Sequence, residues 1–576
     1  MRRASLPERP RYAESACPDG LERRSSTRRF ASACSAEAWD FSRAEEVWTR
    51  LAPLTPRGRD RKEDRAVYGE EPILESLYDQ VEAAIEILER LEGPALDRLR
   101  HRLSRVPRLP EALDAGSSLE AADLFLVKKF LVNYAAAVGL LDARARAAFS
   151  LGFESGELRA LLARGGSDEE SFFVSDAYDP ALAAVRARAR ELDASLARMR
   201  GDAESSAERE LGLAFRGRSF IVVPVGEAAR LDGPARAAVA VEPYDSSRCV
   251  LRLSLAPEAV RAEAEREGLL DEERALEAAV VERLSDDVAS EAARLRSYED
   301  ALGDFDFALA RALLARDLGL TRPAFRPGSL VVRKGRLLPC EDERKGDGLG
   351  YRPLDLELGE RAAMVFGPNM GGKTVALQTA LSLQVLAQAG LFVPAERFES
   401  EVHARIVYAG APRPGKAEPG REGDGLSGFG REVEALQSAW EAARAAGAFV
   451  VLDELGRTTS SREAAALVAA AAERFAAATG TRCLLATHFR GACPSEAVAR
   501  LRMAGLDREA ARAAAAGGRL GGKDRLRAIA QLMRYEIVRD DGIEAAKGSD
   551  ALEVAALLGL DEDIMKAAQA HYDRES

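Results

Sequence analysis

Residues 364–374 read MVFGPNMGGKT. A short apolar run, Ala362–Phe366, leads into Gly367-x-x-x-x-Gly372-Lys373-Thr374, and apolar positions at helical spacing follow (Val375, Leu377, Ala380, Leu381, Leu383). Strand, glycine loop and helix in that order are the context a P-loop, or Walker A, motif requires. The glycines let backbone N–H groups converge on phosphate oxygens, and the helix N-terminus adds a favourable dipole. Lys373 is placed to reach the β- and γ-phosphates, and the Thr374 hydroxyl to ligate Mg²⁺. The fold class expected from this stretch is an α/β P-loop domain at the C-terminal end of the chain.

Further along, Ala448–Leu452 (AFVVL) is a buried-strand run ending in Asp453-Glu454. An acid at the C-terminal end of a parallel strand in a P-loop fold, the Walker B position, reaches the Mg²⁺ shell. The second carboxylate, Glu454, is placed to polarise an attacking water. A third strand, Cys483–Ala486, is followed by Thr487-His488, and a histidine there can bond both phosphate and water. Between the loop helix and the acidic strand lies Gly423–Glu434 (GDGLSGFGREVE), a glycine-rich stretch with Ser427 that opens a helix near Arg431. Within one subunit this second phosphate-type loop has no nucleotide of its own, so it is expected to cap the nucleotide of another subunit.

GPNMGGKT, VVLDELGRTTS and LLATHF, in that order and spacing, resemble the ATPase domain of the MutS family, a branch of the ABC-type ATPases. The resemblance runs over about Leu354–Phe489 and continues weakly to Gly548–Ala567, similar to the family's closing helical segment. It implies ATP and Mg²⁺ as cofactors and a homodimer or paralogue dimer with two composite sites. It further implies that Gly367, Pro368, Asn369, Met370, Gly371, Gly372, Lys373 and Thr374 hold the triphosphate. Thr374 and Asp453 serve Mg²⁺, Glu454 is the catalytic base and His488 the switch histidine. Ser427 falls where the family's trans-acting serine lies, with Phe429 and Glu432 matching too; the family's Ser-Thr-Phe reads Ser427-Gly428-Phe429 here. Gly456–Ser460 matches the loop that faces the partner.

Upstream, residues 1–36 are rich in Arg, Ser and Ala, without an apolar core, and are expected to be a disordered tail. Residues 37–155 read as an all-helical core, with stripes through Leu74, Leu77, Val81, Ile85 and Leu88, and through Leu124, Val127, Phe130 and Leu131. Residues 156–327 read as mixed core with charged helical lever or clamp arms. Strands are expected at Phe220–Val225, Ala238–Pro243 and Cys249–Leu255, and two antiparallel helices, broken near Gly268, over Pro257–Asp317. Residues 328–576 read as the ATPase domain with a helical dimerisation segment at its end; Ser329–Cys340 reads as a hairpin turning at Lys334-Gly335, and 341–350 as a loop.

Composition bounds the function. With 47% hydrophobic and 31% charged residues and no apolar run near the ~20 residues of a membrane span, an integral membrane protein is excluded. A net charge of −12 excludes a broadly basic nucleic-acid coat but not a local patch. The six scattered cysteines, without a CxxC pair, fit a reducing cytoplasm.

Several features depart from the mismatch readers of the family. None of the twenty phenylalanines is followed by Glu at the second position, so the family's Phe-x-Glu wedge is missing. Neither the mismatch domain with its connector before the core nor an endonuclease-type domain after the ATPase is expected. Pro257–Asp300 carries fourteen acids against six arginines, where a DNA clamp should present cations. The expectation is a dimeric ATPase that acts on DNA structures in repair or recombination without mismatch reading, its DNA contacts lying away from the arms at Arg57–Arg65 or Arg98–Arg108. The alternative is an ATP-driven remodeller that reactivates a cobalamin-dependent aminomutase, such as lysine 5,6-aminomutase.

Overall fold

The computed structural model describes residues 33–91, 93–166, 171–367, 371–410, 428–457, 459–489, 491–516, 529, 531–540 and 550–575. The described chain begins earlier than expected for an ordered segment. Ala33 and Cys34 are buried, Cys34 bridges Ile406, and Ser35 caps helix α1 (Ala36–Phe41) by accepting from Ala38 N. The tail reading therefore fails at its last four residues, because this segment lies along a strand of the C-terminal domain.

Helices α2 (Pro56–Glu63), α3 (Glu71–Arg90), α4 (Pro94–Arg105) and α5 (Ala121–Gly139) follow. The stripe on α3 buries Leu74, Tyr78, Val81, Ala84, Ile87 and Leu88, and that on α5 buries Leu124, Val127, Phe130, Leu131 and Tyr134. These form one core with Phe305, Leu309 and their neighbours from further along the chain. The basic stretch on α2 is not an open surface. Arg57 and Arg61 pair with Asp300 and Asp304, Arg65 with Glu45, and Lys62 donates to the Leu51 carbonyl at 2.6 Å. Arg108 makes a fork with Asp60. The stretch Arg57–Arg65, expected to contact DNA, is engaged in these pairs, which hold it to the rest of the core.

Helix α6 (Pro180–Leu211) climbs away from the core into a small antiparallel sheet of β1 (Phe220–Pro224), β2 (Val239–Pro243) and β3 (Arg248–Leu253), in the order β1-β3-β2. Helix α7 (Pro257–Ser290) returns beside α6, and α8 (Ala292–Leu318) re-enters the core. The expected break at Gly268 is absent: α7 runs through it and gives way to α8 at Glu291. An interior glycine costs about 1 kcal/mol relative to alanine. Ion pairs across to α6 offset that: Arg186 with Glu273 and Glu277, Arg188 with Glu265, Arg200 with Glu263 and Arg266 with Asp193. The antiparallel partner of α7 is thus α6, and α6 arginines answer part of its acidity.

A four-stranded sheet follows, built from β4 (Ala324–Phe325), β5 (Leu330–Gly335), β6 (Leu354–Leu358) and, after the next strand, β8 (Arg397–Ser400). The expected hairpin is absent: β5 pairs with β6 and β8, and Leu338–Gly346 is a helix. Strands β7 (Ala362–Phe366), β9 (Arg405–Gly410), β10 (Ala448–Asp453), β11 (Arg482–Thr487), β12 (Val498–Leu506) and β13 (Met533–Arg539) form the large sheet, ordered β13-β12-β7-β11-β10-β9. All pairings are parallel except β12 with β13. Every residue of β7, β10 and β11 is buried, as expected for strands covered on both faces. Helix α9 (Lys373–Gln388) follows β7; α10 (Gly428–Ala446) and α11 (Ser461–Ala477) complete the covering. The chain closes with helices Asp550–Leu557 and Glu562–Glu575. Among the described residues, no helix is long and apolar enough to cross a membrane.

Candidate functional site

Side by side in the sheet, β7, β11 and β10 end at one edge, bringing Gly367, Thr487 and Asp453 to a common rim. Open α/β sheets bind ligands outside such carboxyl ends. Gly372 sits at φ +89°, a left-handed conformation, and a Cβ there would stand 2.9 Å from the Tyr535 ring; both facts require glycine. Gly371 is buried. Lys373 opens α9 with its side chain 2% exposed, and its Nζ donates to the Gly367 carbonyl at 2.7 Å. Burial holds this ammonium below the ordinary lysine value, while Glu454 and Asp453 act the other way. The Nζ stands 3.7 Å from Glu454 Oε1.

The Thr374 hydroxyl donates to Asp453 Oδ2 at 3.0 Å. Burial raises the Asp453 carboxyl above the usual range; the Thr374 bond opposes this, and Glu454 adds to it. Glu454 occupies φ 53°, which costs a non-glycine residue about 1–3 kcal/mol and marks a position the surroundings enforce. Its N–H donates to Ala486 O at 3.1 Å, tying the turn after β10 to β11, and Arg457 lies 3.9 Å from its carboxylate. Glu432 on α10 accepts from Gly456 N at 2.8 Å, clamping the next turn.

Thr487 Oγ1 accepts from Phe489 N, and His488 is exposed with its ring 4.1 Å from that of Phe489. The structure therefore gathers Gly367, Gly372, Lys373, Thr374, Asp453 and Glu454, and places His488 at the end of the strand between the loop and the acids. Pro368, Asn369, Met370 and Ser427 lie outside the described residues.

A concave space of about 490 Å³, including its open mouth, adjoins Gly372 and the first two turns of α9. Tyr351, Arg352, Tyr535, Arg344, Cys340 and Met503 line it with Val375, Ala376 and Thr379. Arg344 lies 5.2 Å from the Tyr535 ring centre. Tyr351, Arg352, Arg344, Met503 and Tyr535 were not singled out from the sequence, because four separated segments build the cleft. The only local sign is tyrosine and arginine just ahead of β6.

The oxygen donors at Thr374 and Asp453 suit a hard cation. Among the described residues, no group of three or more His, Cys, Asp or Glu could hold a metal, so a cation here would take its remaining ligands from phosphate and water.

Residues 363–574 match the family model of MutS domain V. Over 248 residues the chain is 31% identical to an "Endonuclease MutS2" of Lactiplantibacillus plantarum, covering 43% of this chain and 30% of that protein. It is 34% identical over 239 residues to a "DNA mismatch repair protein MutS" of Anaeromyxobacter dehalogenans, covering 39% and 26%. A second "Endonuclease MutS2", from Pelotomaculum thermopropionicum, is 30% identical over 301 residues, covering 51% and 34%. The chain spans about a third or less of the length of these curated relatives.

Proposed function

We propose that this chain, whose residues 363–574 match MutS domain V, is a MutS-family protein that hydrolyses ATP with Mg²⁺ in a dimer and uses the cycle to move its helical arm on DNA. The carrying observation is the convergence of Lys373, Thr374, Asp453 and Glu454 on one rim of the sheet. The residues at hand fit a nucleotide triphosphate. Lys373 exchanges its carbonyl partner for phosphate oxygens, bringing a point charge where negative charge gathers. Thr374 and Asp453 would hold Mg²⁺, which when bound supplies positive charge against the phosphate oxygens. Glu454 orients a water and takes its proton, and His488 steadies the phosphate end. The adjoining cleft, with Tyr351 and Tyr535 in its wall, would take the adenine. Ser427 of a partner completes the site in trans.

Two variants test this. Lys373→Ala should abolish nucleotide binding, and Glu454→Gln should keep binding while stopping turnover. Turnover by Glu454→Gln equal to that of the parent would remove the base assignment.

DNA remains the first ligand, for a reason the arm count alone obscured. Residues 212–256 at the arm tip carry Arg216, Arg218, Arg230, Arg236, Arg248 and Arg252 against Glu227, Asp232, Glu242 and Asp245. The acidity belongs to α7, and the tip is mildly cationic. One observation favours a protein client instead: Phe220, Val222 and Tyr244 are 43%, 42% and 60% exposed there. Measuring ATPase stimulation by branched DNA, plain duplex and a cobalamin-dependent aminomutase side by side separates the two readings.

A further inference from the structure

Strand β9 carries none of the motif residues, yet it is the neighbour of β10, with Tyr408 beside Val451 and Gly410 beside Asp453. Side chains two apart on a strand share a face, so Tyr408 points to the same side as Asp453. Val451 and Tyr408 accordingly pack in one core cluster together with Ala376 and Leu377 of α9, the helix that carries Thr374. The tyrosine ring runs along the strand over Gly410. A Cβ at that glycine would collide with the Tyr408 hydroxyl and stand 2.9 Å from the Asp453 carbonyl oxygen. The hydroxyl thus reaches the level of Asp453 through the space a side chain at 410 would fill.

The ring is held from its other face. Phe41 stacks on it with centroids 3.9 Å apart and planes 14° from parallel. Phe41 ends α1, which the backbone ties to β9 through Ser35 N to Ile406 O at 2.9 Å and Ile406 N to Ala33 O at 2.6 Å. A stacked aromatic pair, its Phe41 buried and Tyr408 half-buried, and two backbone bonds therefore fix where the phenol sits. A phenol is a hydrogen-bond donor at neutral pH, and carboxylates are acceptors.

We propose that Tyr408 is a positioning residue at the cation end of the site: its hydroxyl, seated by Phe41 and admitted by Gly410, orients the Asp453 carboxylate that works with Thr374. This rests on the ATP and Mg²⁺ reading above. Groups that orient a metal-binding carboxylate typically carry a 10–100-fold effect on metal affinity or activity.

Tyr408→Phe keeps the ring and the stack and removes the hydroxyl alone. With Mn²⁺ as the probe, electron paramagnetic resonance of the protein with a non-hydrolysable ATP analogue should show Mn²⁺ binding weakened by about 10–100-fold. Analogue affinity in EDTA and the melting temperature should match the parent. Phe41→Ala should weaken Mn²⁺ in the same direction, and Phe41→Tyr should restore it. If Tyr408→Phe binds Mn²⁺ as tightly as a parent that itself binds it, the role of Tyr408 is refuted and the site stands. If the parent binds the analogue no better than Lys373→Ala does, the site assignment falls and takes the tyrosine with it.

Discussion

His403 is a buried histidine with no part in the proposed chemistry. It packs edge-on to Phe449, and its Nδ1 lies 3.2 Å from the Gly480 carbonyl, which makes Nδ1 the protonated nitrogen of the neutral ring. Burial depresses it to about 4. The unfolded chain takes its proton near 6.5, so the stability contributed by the neutral ring is complete above that value. It is lost as pH falls toward 4, by on the order of 3 kcal/mol in all. Asp306, pushed up to about 6 by burial, works in the opposite sense across much of the same range. The clean reading is therefore a difference: between pH 7.5 and 5 the parent should lose about 2 kcal/mol more than His403→Gln does in urea unfolding. Equal losses would show that the ring is not kept neutral by the fold. At this scale legibility followed locality. Lys373, Thr374, Asp453, Glu454 and His488 announced themselves because each sits in a short run whose residue types are dictated by one strand end. Tyr351, Tyr535 and Tyr408 gave no such sign, since a tyrosine in or beside a strand is ordinary until the neighbouring strand is known.

Among the elements, the arm hairpin shows the same division. Strands β1, β2 and β3 were read within a residue or two, because turn residues and alternation are local properties. The run of α7 through Gly268 was not, because the groups that hold it straight are on α6. Arg186 is the chief of these, bonding Asp176, Glu273, Glu277 and the Val174 carbonyl at once. Arg186→Ala leaves two half-shielded acids facing each other and should loosen the α6–α7 pair by about 1–3 kcal/mol. Hydrogen exchange across 180–211 and 257–290 should rise, while nucleotide affinity at the distant rim is unchanged. Unaltered exchange would mean that apolar packing alone sets the pairing. The helix at Leu338–Gly346 was hidden for a related reason: β5 finds its partners in β6 and β8, so Lys334-Gly335 has no returning strand to join.

For the molecule as a whole, two expectations follow. Exposed Phe429 and Val433 on α10, with Leu558, Leu560 and Ile564 near the chain's end, leave apolar surface for a second copy. Glu454→Gln with ATP should scatter light as about twice the 62.0 kDa chain; a single-chain mass at every concentration would remove the composite site. Duplex binding should be weak, salt-sensitive and indifferent to mismatches, and Arg216→Glu with Arg218→Glu, both exposed at the tip, should weaken it further. Nanomolar, mismatch-selective binding in a gel-shift series at physiological salt would overturn that. The bend at Glu291 gives these parts a gear ratio. Helix α7 is 34 residues long, so its far end stands roughly 50 Å from the bend. A swing of about ten degrees there sweeps the tip through roughly 9 Å, between two and three base-pair rises of a duplex. On the DNA reading proposed above, a turn of that size at Glu291 would carry the tip on or off a step of the duplex.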